Sequence, residues 1–331
     1  MKPLNLGVIG VSGHLLTRIM DPISKIDEIN LVAIASRNMT KAKAAASQWN
    51  IPTAYDSYEQ LLLDDSVEAV YIPLPNHLHL EWIKKAADAG KHIICEKPLT
   101  LTADEVLELI DYVKDKDLKI MEAFMYRSHP KWQMIKDLMK VKGIGEVKTI
   151  HTIFSYNNAD PKNIRNIKAY GGGALMDIGC YAISSARWIM NAEPKKVMGL
   201  VDYSEDFGTD ILSSGIMDFG GPRAIFTVST SMYPAQEVTI YGTAGTARMT
   251  LPFNDAYDVP STVTVHDALG TRTITFDPVN QYGQMFKAFA KAVRNDTPVP
   301  VSLEDSYYNM AIINQCVKSG ESGTWATIDP K

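Results

Sequence analysis

The stretch Gly7-Val8-Ile9-Gly10-Val11-Ser12-Gly13-His14 closes an apolar run and opens a helical one. Glycines at such a turn allow a tight bend and let backbone N–H groups approach a pyrophosphate at the helix N-terminus. Gly10, Ser12, Gly13 and His14 are therefore expected against a dinucleotide. Leu15 stands where a third small residue is usual and should widen the helix–strand packing. The end of the second apolar run selects the cofactor. A carboxylate there would bond the adenosine ribose hydroxyls, but the chain reads Ala35-Ser36-Arg37-Asn38, with Lys41 and Lys43 behind. Ser36, Arg37 and Lys41 suit a 2′-phosphate, so NADP(H) is expected over NAD(H). Pro73, Leu74 and Asn76, in the turn after the third apolar run, are expected at the cofactor, as are Glu96 and Lys97 after the fourth. The carboxyl edge of an open parallel sheet is where ligands sit. Asp177 and Tyr181 stand four apart, a spacing that shares one helix face.

These residues need elements to hold them. Short continuous apolar runs at 4–10, 31–35, 67–72, 92–95 and 118–121 alternate with helical stretches near 14–25, 39–49, 57–63, 77–89 and 102–116. That alternation predicts an N-terminal Rossmann, doubly wound parallel sheet covered on both faces. From about 143 the pattern changes. A glycine-flanked helix at 171–190 precedes strand-like segments at 197–203, 211–219, 224–232, 237–241, 246–251, 262–266 and 271–276, then two helices near 282–294 and 303–319. This predicts a C-terminal α+β domain with a large, open, mainly antiparallel sheet. The expected domains are 1–122 for the dinucleotide and 123–331 for substrate and oligomerisation, the last helices packing back on the first. Phe154, Tyr156, Phe226 and Met232 would suit either a core or a partner sheet.

Two further segments make the reading specific: Pro75-Asn76-His77-Leu78-His79, leading to Glu96-Lys97-Pro98, and Gly171-Gly172-Gly173-Ala174-Leu175-Met176-Asp177-Ile178-Gly179-Cys180-Tyr181. Together they resemble the family of glucose–fructose oxidoreductases and inositol dehydrogenases, from Leu4 to about Ile328. Glu122-Ala123-Phe124-Met125-Tyr126-Arg127 and Asp160-Pro161-Lys162-Asn163-Ile164-Arg165 resemble the branch with dimeric dihydrodiol dehydrogenases and aldose 1-dehydrogenases. Inositol-dehydrogenase relatives usually have His where Tyr181 stands. The resemblance implies a cis Lys97–Pro98 bond and hydride transfer between a carbinol carbon and nicotinamide. A free tyrosine, with a pKa of about 10, is a poor base at neutral pH. A neighbouring ammonium and an oxidised nicotinamide would favour its phenolate. Tyr181 is thus the expected general acid/base, Lys97 its electrostatic partner, and Asp177 a group that orients Lys97 or bonds a sugar hydroxyl. Tyr126, Arg127 and Arg165 are candidate substrate contacts. His79 would cap the following helix or line the nicotinamide pocket.

The implied substrate is a sugar or cyclic polyol, with an aldose 1-dehydrogenase first and a trans-dihydrodiol dehydrogenase or keto-sugar reductase as rivals. A non-catalytic cofactor-binding sensor is the rival of another class. It would not need both Lys97 and Tyr181. A net charge of −5 argues against nucleic-acid or anionic-membrane surfaces. No apolar stretch approaches the ~18 residues that cross a bilayer. The three cysteines, Cys95, Cys180 and Cys316, are scattered, and the seven histidines lack metal-site spacing, so neither a disulfide framework nor a metal is expected. Reduced thiols and an N-terminus without a signal-peptide pattern suggest the cytoplasm. The resemblance implies a homodimer or dimer of dimers through the open sheet.

Overall fold

The structure, a computed structural model, describes residues 2–329. Six strands build the first sheet: β1 (Leu4–Ile9), β2 (Ile29–Ala35), β3 (Thr53–Tyr55), β4 (Ala69–Ile72), β5 (His92–Glu96) and β6 (Ile120–Ala123). Their order is β3-β2-β1-β4-β5-β6 and every pairing is parallel. The chain reverses its order of laying down strands between β1 and β4, which is where a doubly wound fold binds its ligand. The near-continuous burial of β1, β4 and β5 explains their unbroken apolar runs. Helix ends follow local chemistry. Asn38 caps Met39–Trp49 by accepting from the Lys41 amide, and Thr102 and Glu105 form a reciprocal capping box at Ala103–Val113.

The second sheet holds nine strands: β7 (Val147–Asn157), β8 (Lys196–Tyr203), β9 (Asp210–Asp218), β10 (Arg223–Ser229), β11 (Ser231–Gly242), β12 (Gly245–Thr250), β13 (Ser261–Asp267), β14 (Gly270–Phe276) and β15 (Ala326–Thr327). The order is β14-β13-β12-β11-β7-β10-β9-β8-β15. All pairs are antiparallel except β7 with β10, which run parallel at the centre. Register divides the residues cleanly between faces. Val197, Met217, Ala224, Ile150, Ile240, Ala247 and Val265 are paired neighbours or share their parity, and all are almost fully buried. Leu200, Ile216, His151 and Tyr241 lie on the other face and are exposed. Phe154 and Phe226, at 2% and 1% exposure, belong to the covered face and are core.

Two compact units emerge. The first contains residues 1–128 and 280–307, the second 129–279 and 308–331. Residues 123–128, assigned to the second domain on sequence, lie in the first unit, and so does the helix Gln281–Asn295. There Phe286 packs edge-on against Tyr71 of β4, with centroids 5.1 Å apart. The division falls inside the helix Leu303–Ser322, between Tyr307 and Tyr308. Sequence reading had missed β3, β7 and the helix Pro130–Lys140.

Candidate active site

In the first unit the glycine turn leaves β1 at Gly10, whose φ of +110° suits glycine alone. A Cβ there would also strike Leu74 Cδ2 at 2.7 Å, so Leu74, from the turn after β4, closes over the glycine turn. Above Gly13 a Cβ would meet nothing within 4 Å. Ser12 Oγ accepts from the Leu15 amide at 3.1 Å, which leaves the preceding amides for an anion. The helix expected near 14–25 runs over 13–24, with a π-helical turn, Leu15–Ile19, followed by a short α-helix, Met20–Ser24. His14 stays exposed, edge-on to Tyr282 at 5.9 Å. At the end of β2, Ser36 is buried and its hydroxyl accepts from the Asn38 amide at 3.3 Å. Arg37 and Lys41 are exposed, and Arg37 reaches the Tyr58 hydroxyl, partly offsetting the burial that raises that phenol's pKa. Tyr58 Oη itself lies 3.8 Å from the Cβ position of Gly10. Arg37 therefore sits beside the phosphate turn. An open cradle at Gly13 with a cation nearby fits a phosphorylated dinucleotide.

Past β5, the Lys97–Pro98 peptide is cis and Lys97 is half-buried. Glu96 accepts the Tyr71 hydroxyl at 2.6 Å. Pro73 is buried, and Asn76 opens a 3₁₀ turn, Asn76–Leu78. His79 differs from both expectations. It is fully buried, with Nδ1 2.9 Å from the Pro98 carbonyl and Nε2 2.8 Å from the Leu74 carbonyl. It ties two loops together and caps nothing. Tyr126 and Arg127, expected at the substrate, are also structural. Both are buried, Arg127 Nε donates to Tyr126 Oη at 3.3 Å, and its guanidinium pairs with Asp305 at 2.8 Å.

In the second unit Asp177 and Tyr181 straddle a junction, the π-helical Leu175–Gly179 running into the α-helix Cys180–Met190. Such π turns recur at functional sites. The glycines before it approach protein. A Cβ on Gly172 would lie 2.4 Å from the Arg165 carbonyl, and one on Gly173 (φ +120°) 1.9 Å from Asp210 Oδ1. Asp210 is the residue that sequence reasoning missed. Its buried carboxylate accepts from the Leu175 amide and the Ser213 hydroxyl, each at 2.8 Å, and so anchors the start of the helix. Burial raises its pKa against those bonds.

Asp177 Oδ2 receives the Tyr156 hydroxyl at 2.6 Å and Arg165 Nε at 2.8 Å. Asp177 holds the Arg165 charge strongly, while burial and Asp177 push the Tyr156 phenol up. The Arg165 guanidinium also feels Tyr181. Tyr181 is 5% exposed, its ring 5.9 Å from Phe154 and 5.3 Å from Phe253. Phe253 stacks in turn on Phe154 and Trp132, at 5.4 and 5.7 Å. Its loop is pinned by the fully buried Lys131, which pairs with Asp255 and donates to the Leu251 carbonyl at 2.8 Å. The Tyr181 ring is thus held in an aromatic wall.

A Rossmann turn on one unit and a Gly-Gly-Gly…Asp…Tyr helix on the other are matched by known proteins. A family model described as an oxidoreductase family with an NAD-binding Rossmann fold covers residues 4–124. The C-terminal-domain model of the same family, GFO/IDH/MocA, covers 132–248. The chain belongs to the GFO/IDH/MocA oxidoreductase family. Among its relatives is an uncharacterized oxidoreductase of Rhizobium meliloti, 38% identical over 99% of this chain and all of that one. The D-xylose 1-dehydrogenase (NADP(+)) 2 of Haloferax volcanii is 37% identical over 98% of this chain and 99% of its own. A 3-ketoreductase from Actinomadura kijaniata, solved with NADP and TDP-benzene, aligns with a TM-score of 0.90 at 27% identity, covering 96% of this chain and 98% of that one. The chain is therefore an oxidoreductase with an NAD(P)-binding Rossmann fold. Among the described residues no helix is long and apolar enough to cross a membrane.

Proposed function

We propose that the protein is an NADP(H)-dependent aldose 1-dehydrogenase that oxidises the anomeric carbon of a pentose or hexose to a lactone. The observation that carries this reading is the setting of Tyr181, a rigid phenol within electrostatic reach of Arg165. Bound NADP⁺ supplies the hydride acceptor. Tyr181, as phenolate, removes the hydroxyl proton of the sugar at its Oη. Lys97 contributes an ammonium that favours the phenolate and bonds the substrate oxygen. Asp177, already engaged by Arg165 and Tyr156, bonds a sugar hydroxyl only through its remaining lone pairs. Ser36, Arg37 and Lys41 take the 2′-phosphate, since no carboxylate closes β2. Gly10, Ser12, Gly13 and His14 line the pyrophosphate.

The same residues run in reverse would make a keto-sugar reductase. That reading is favoured by 28% identity to a dTDP-sugar 3-reductase of Saccharopolyspora spinosa over 90% of this chain. Two chains would pair through the open face of the nine-stranded sheet, where Leu200 is 67% exposed and Ile216 37%. The buried free thiols suit a reducing compartment such as the cytoplasm.

The deciding experiment titrates the protein with NADPH and NADH by intrinsic fluorescence, then adds aldoses, inositols and trans-diols with NADP⁺. Reduction of NADP⁺ by an aldose alone supports the reading. Tight NADPH binding without turnover of any of them would overturn it in favour of a sensor.

A further inference from the structure

One peptide group in the first unit is gripped at both ends. It joins Pro98 to Leu99, directly after Lys97. Its carbonyl faces His79 Nδ1 at 2.9 Å, and its N–H donates to Glu122 Oε1 at 3.0 Å. Both jaws are titratable side chains, at 0% and 2% exposure. Glu122 is the third residue of β6 and pairs with Cys95 of β5, so it reaches the turn from the neighbouring strand. A buried carboxylate costs several kcal/mol unless it has work to do. Glu122 is also underused, because its Oε2 is buried without a hydrogen-bond partner. The groups facing it are the Leu99 amide, the Ser306 hydroxyl, Arg127, Asp305 and the Cys95 thiol.

We propose that Glu122 is a positioning residue for Lys97, holding the Pro98–Leu99 peptide, with His79 as the opposing jaw, so that the lysine leaves β5 in a fixed direction. An apolar residue would fill the same space at lower desolvation cost, but only an acceptor oxygen holds the Leu99 N–H in place. His79 adds a second, independent hold. Its other ring nitrogen lies 2.8 Å from the carbonyl of Leu74, which also closes over Gly10, and the neutral ring favoured by burial gives its one N–H to one carbonyl or the other. The clamp therefore links the lysine turn to the turn at the phosphate end of the site.

This inference rests on the proposed role of Lys97, and its test separates the two. Glu122→Ala removes the acceptor, while Glu122→Gln keeps a carbonyl oxygen for the Leu99 amide. Turnover is followed with NADP⁺ and D-xylose, or with the sugar that the panel above identifies, and hydrogen exchange is read at Leu99. In Glu122→Ala the kcat should fall about tenfold or more, with NADPH affinity changed less than threefold and Leu99 exchange accelerated. Glu122→Gln should recover most of the kcat and the protection. A purely structural carboxylate would instead change thermal stability and leave kcat of the folded fraction untouched. Wild-type kcat in Glu122→Ala, or equal losses of kcat in both variants, would overturn the proposal. Full turnover in Lys97→Ala would sink the catalytic reading, and Leu99 exchange in the two Glu122 variants would still decide whether the clamp exists.

Discussion

Arg165 and Asp177 form an ion pair, Nε to Oδ2 at 2.8 Å, across the entrance to the helix that carries Tyr181. The pair joins the Asn163-Ile164-Arg165 segment to the glycine-led helix, and Tyr156 adds a third contact on the same oxygen. Arg165 therefore stands as a fixed cation near the phenol. A cation favours phenolate, so its removal raises the pKa of Tyr181. Oxidation needs the phenolate. In Arg165→Met the acid limb of the kcat/KM profile for sugar oxidation should move to higher pH. A profile superimposable on wild type would mean that the guanidinium serves the fold alone.

Tyr181→Phe keeps the ring and its packing against Phe154 and Phe253 and deletes only the acid/base oxygen. Positioned acid/base groups contribute about 10²–10⁴-fold. Turnover should drop within that range while NADPH titration stays within threefold of wild type. Retained turnover would remove Tyr181 from the mechanism.

Arg37→Asp places a carboxylate where β2 ends and removes the cation that touches Tyr58. The 2′-phosphate loses a partner and gains a repulsion, while the NAD ribose gains an acceptor. The ratio of NADPH to NADH affinity should fall at least tenfold. An unchanged ratio would mean that Lys41 or Ser36 reads the phosphate without Arg37.

Burial lifts the Glu122 carboxyl from 4.5 to about 7, with Asp305 adding to the shift and Ser306, the Leu99 amide and Arg127 opposing it. A carboxyl whose folded pKa exceeds its unfolded one binds its proton more tightly in the fold. Stability therefore falls as pH rises from about 4.5 to 7, and the full cost, roughly 3 kcal/mol, is present above 7. Glu122→Gln should unfold at a higher temperature than wild type at pH 8.5, with the gap closing toward pH 5. A gap independent of pH would show that Glu122 is ionised throughout.

Much of the first sheet was readable because parallel strands buried on both faces leave continuous apolar runs. Gly10 and Arg37 were readable because a turn and a strand end are local events. β7 escaped because in Lys148-Thr149-Ile150-His151-Thr152-Ile153 the apolar residues recur every third position, which is not the two-residue period of a strand, although Gly143 and Gly145 before it and Asn157-Asn158 after it are turn signals. It is nonetheless the strand that β10 joins in parallel. Asp210 escaped for another reason. It anchors an amide 35 residues away, and no local pattern announces a cap supplied at that distance. Tyr126 and Arg127 were read as ligand contacts from their motif alone. The Asp305 carboxylate that claims the arginine lies in a helix far along the chain.

Both helices that begin at glycine turns, after Gly13 and after Gly173, open with a π-helical turn before settling into α-helix. A π turn accommodates one more residue than an α turn. Deleting a single residue between Leu175 and Gly179 would let the segment relax to ordinary α-helix with little loss of hydrogen bonding. Side chains after the turn would keep their faces, because the extra residue is what the π turn absorbs. Tightening the turn to α-helix at unchanged length would instead swing every later side chain round the axis by about 100°, taking Tyr181 off the Phe154–Phe253 wall. The opening turn is thus a slip joint: losing one residue there should cost the enzyme less than a substitution that abolishes the π turn and keeps the length.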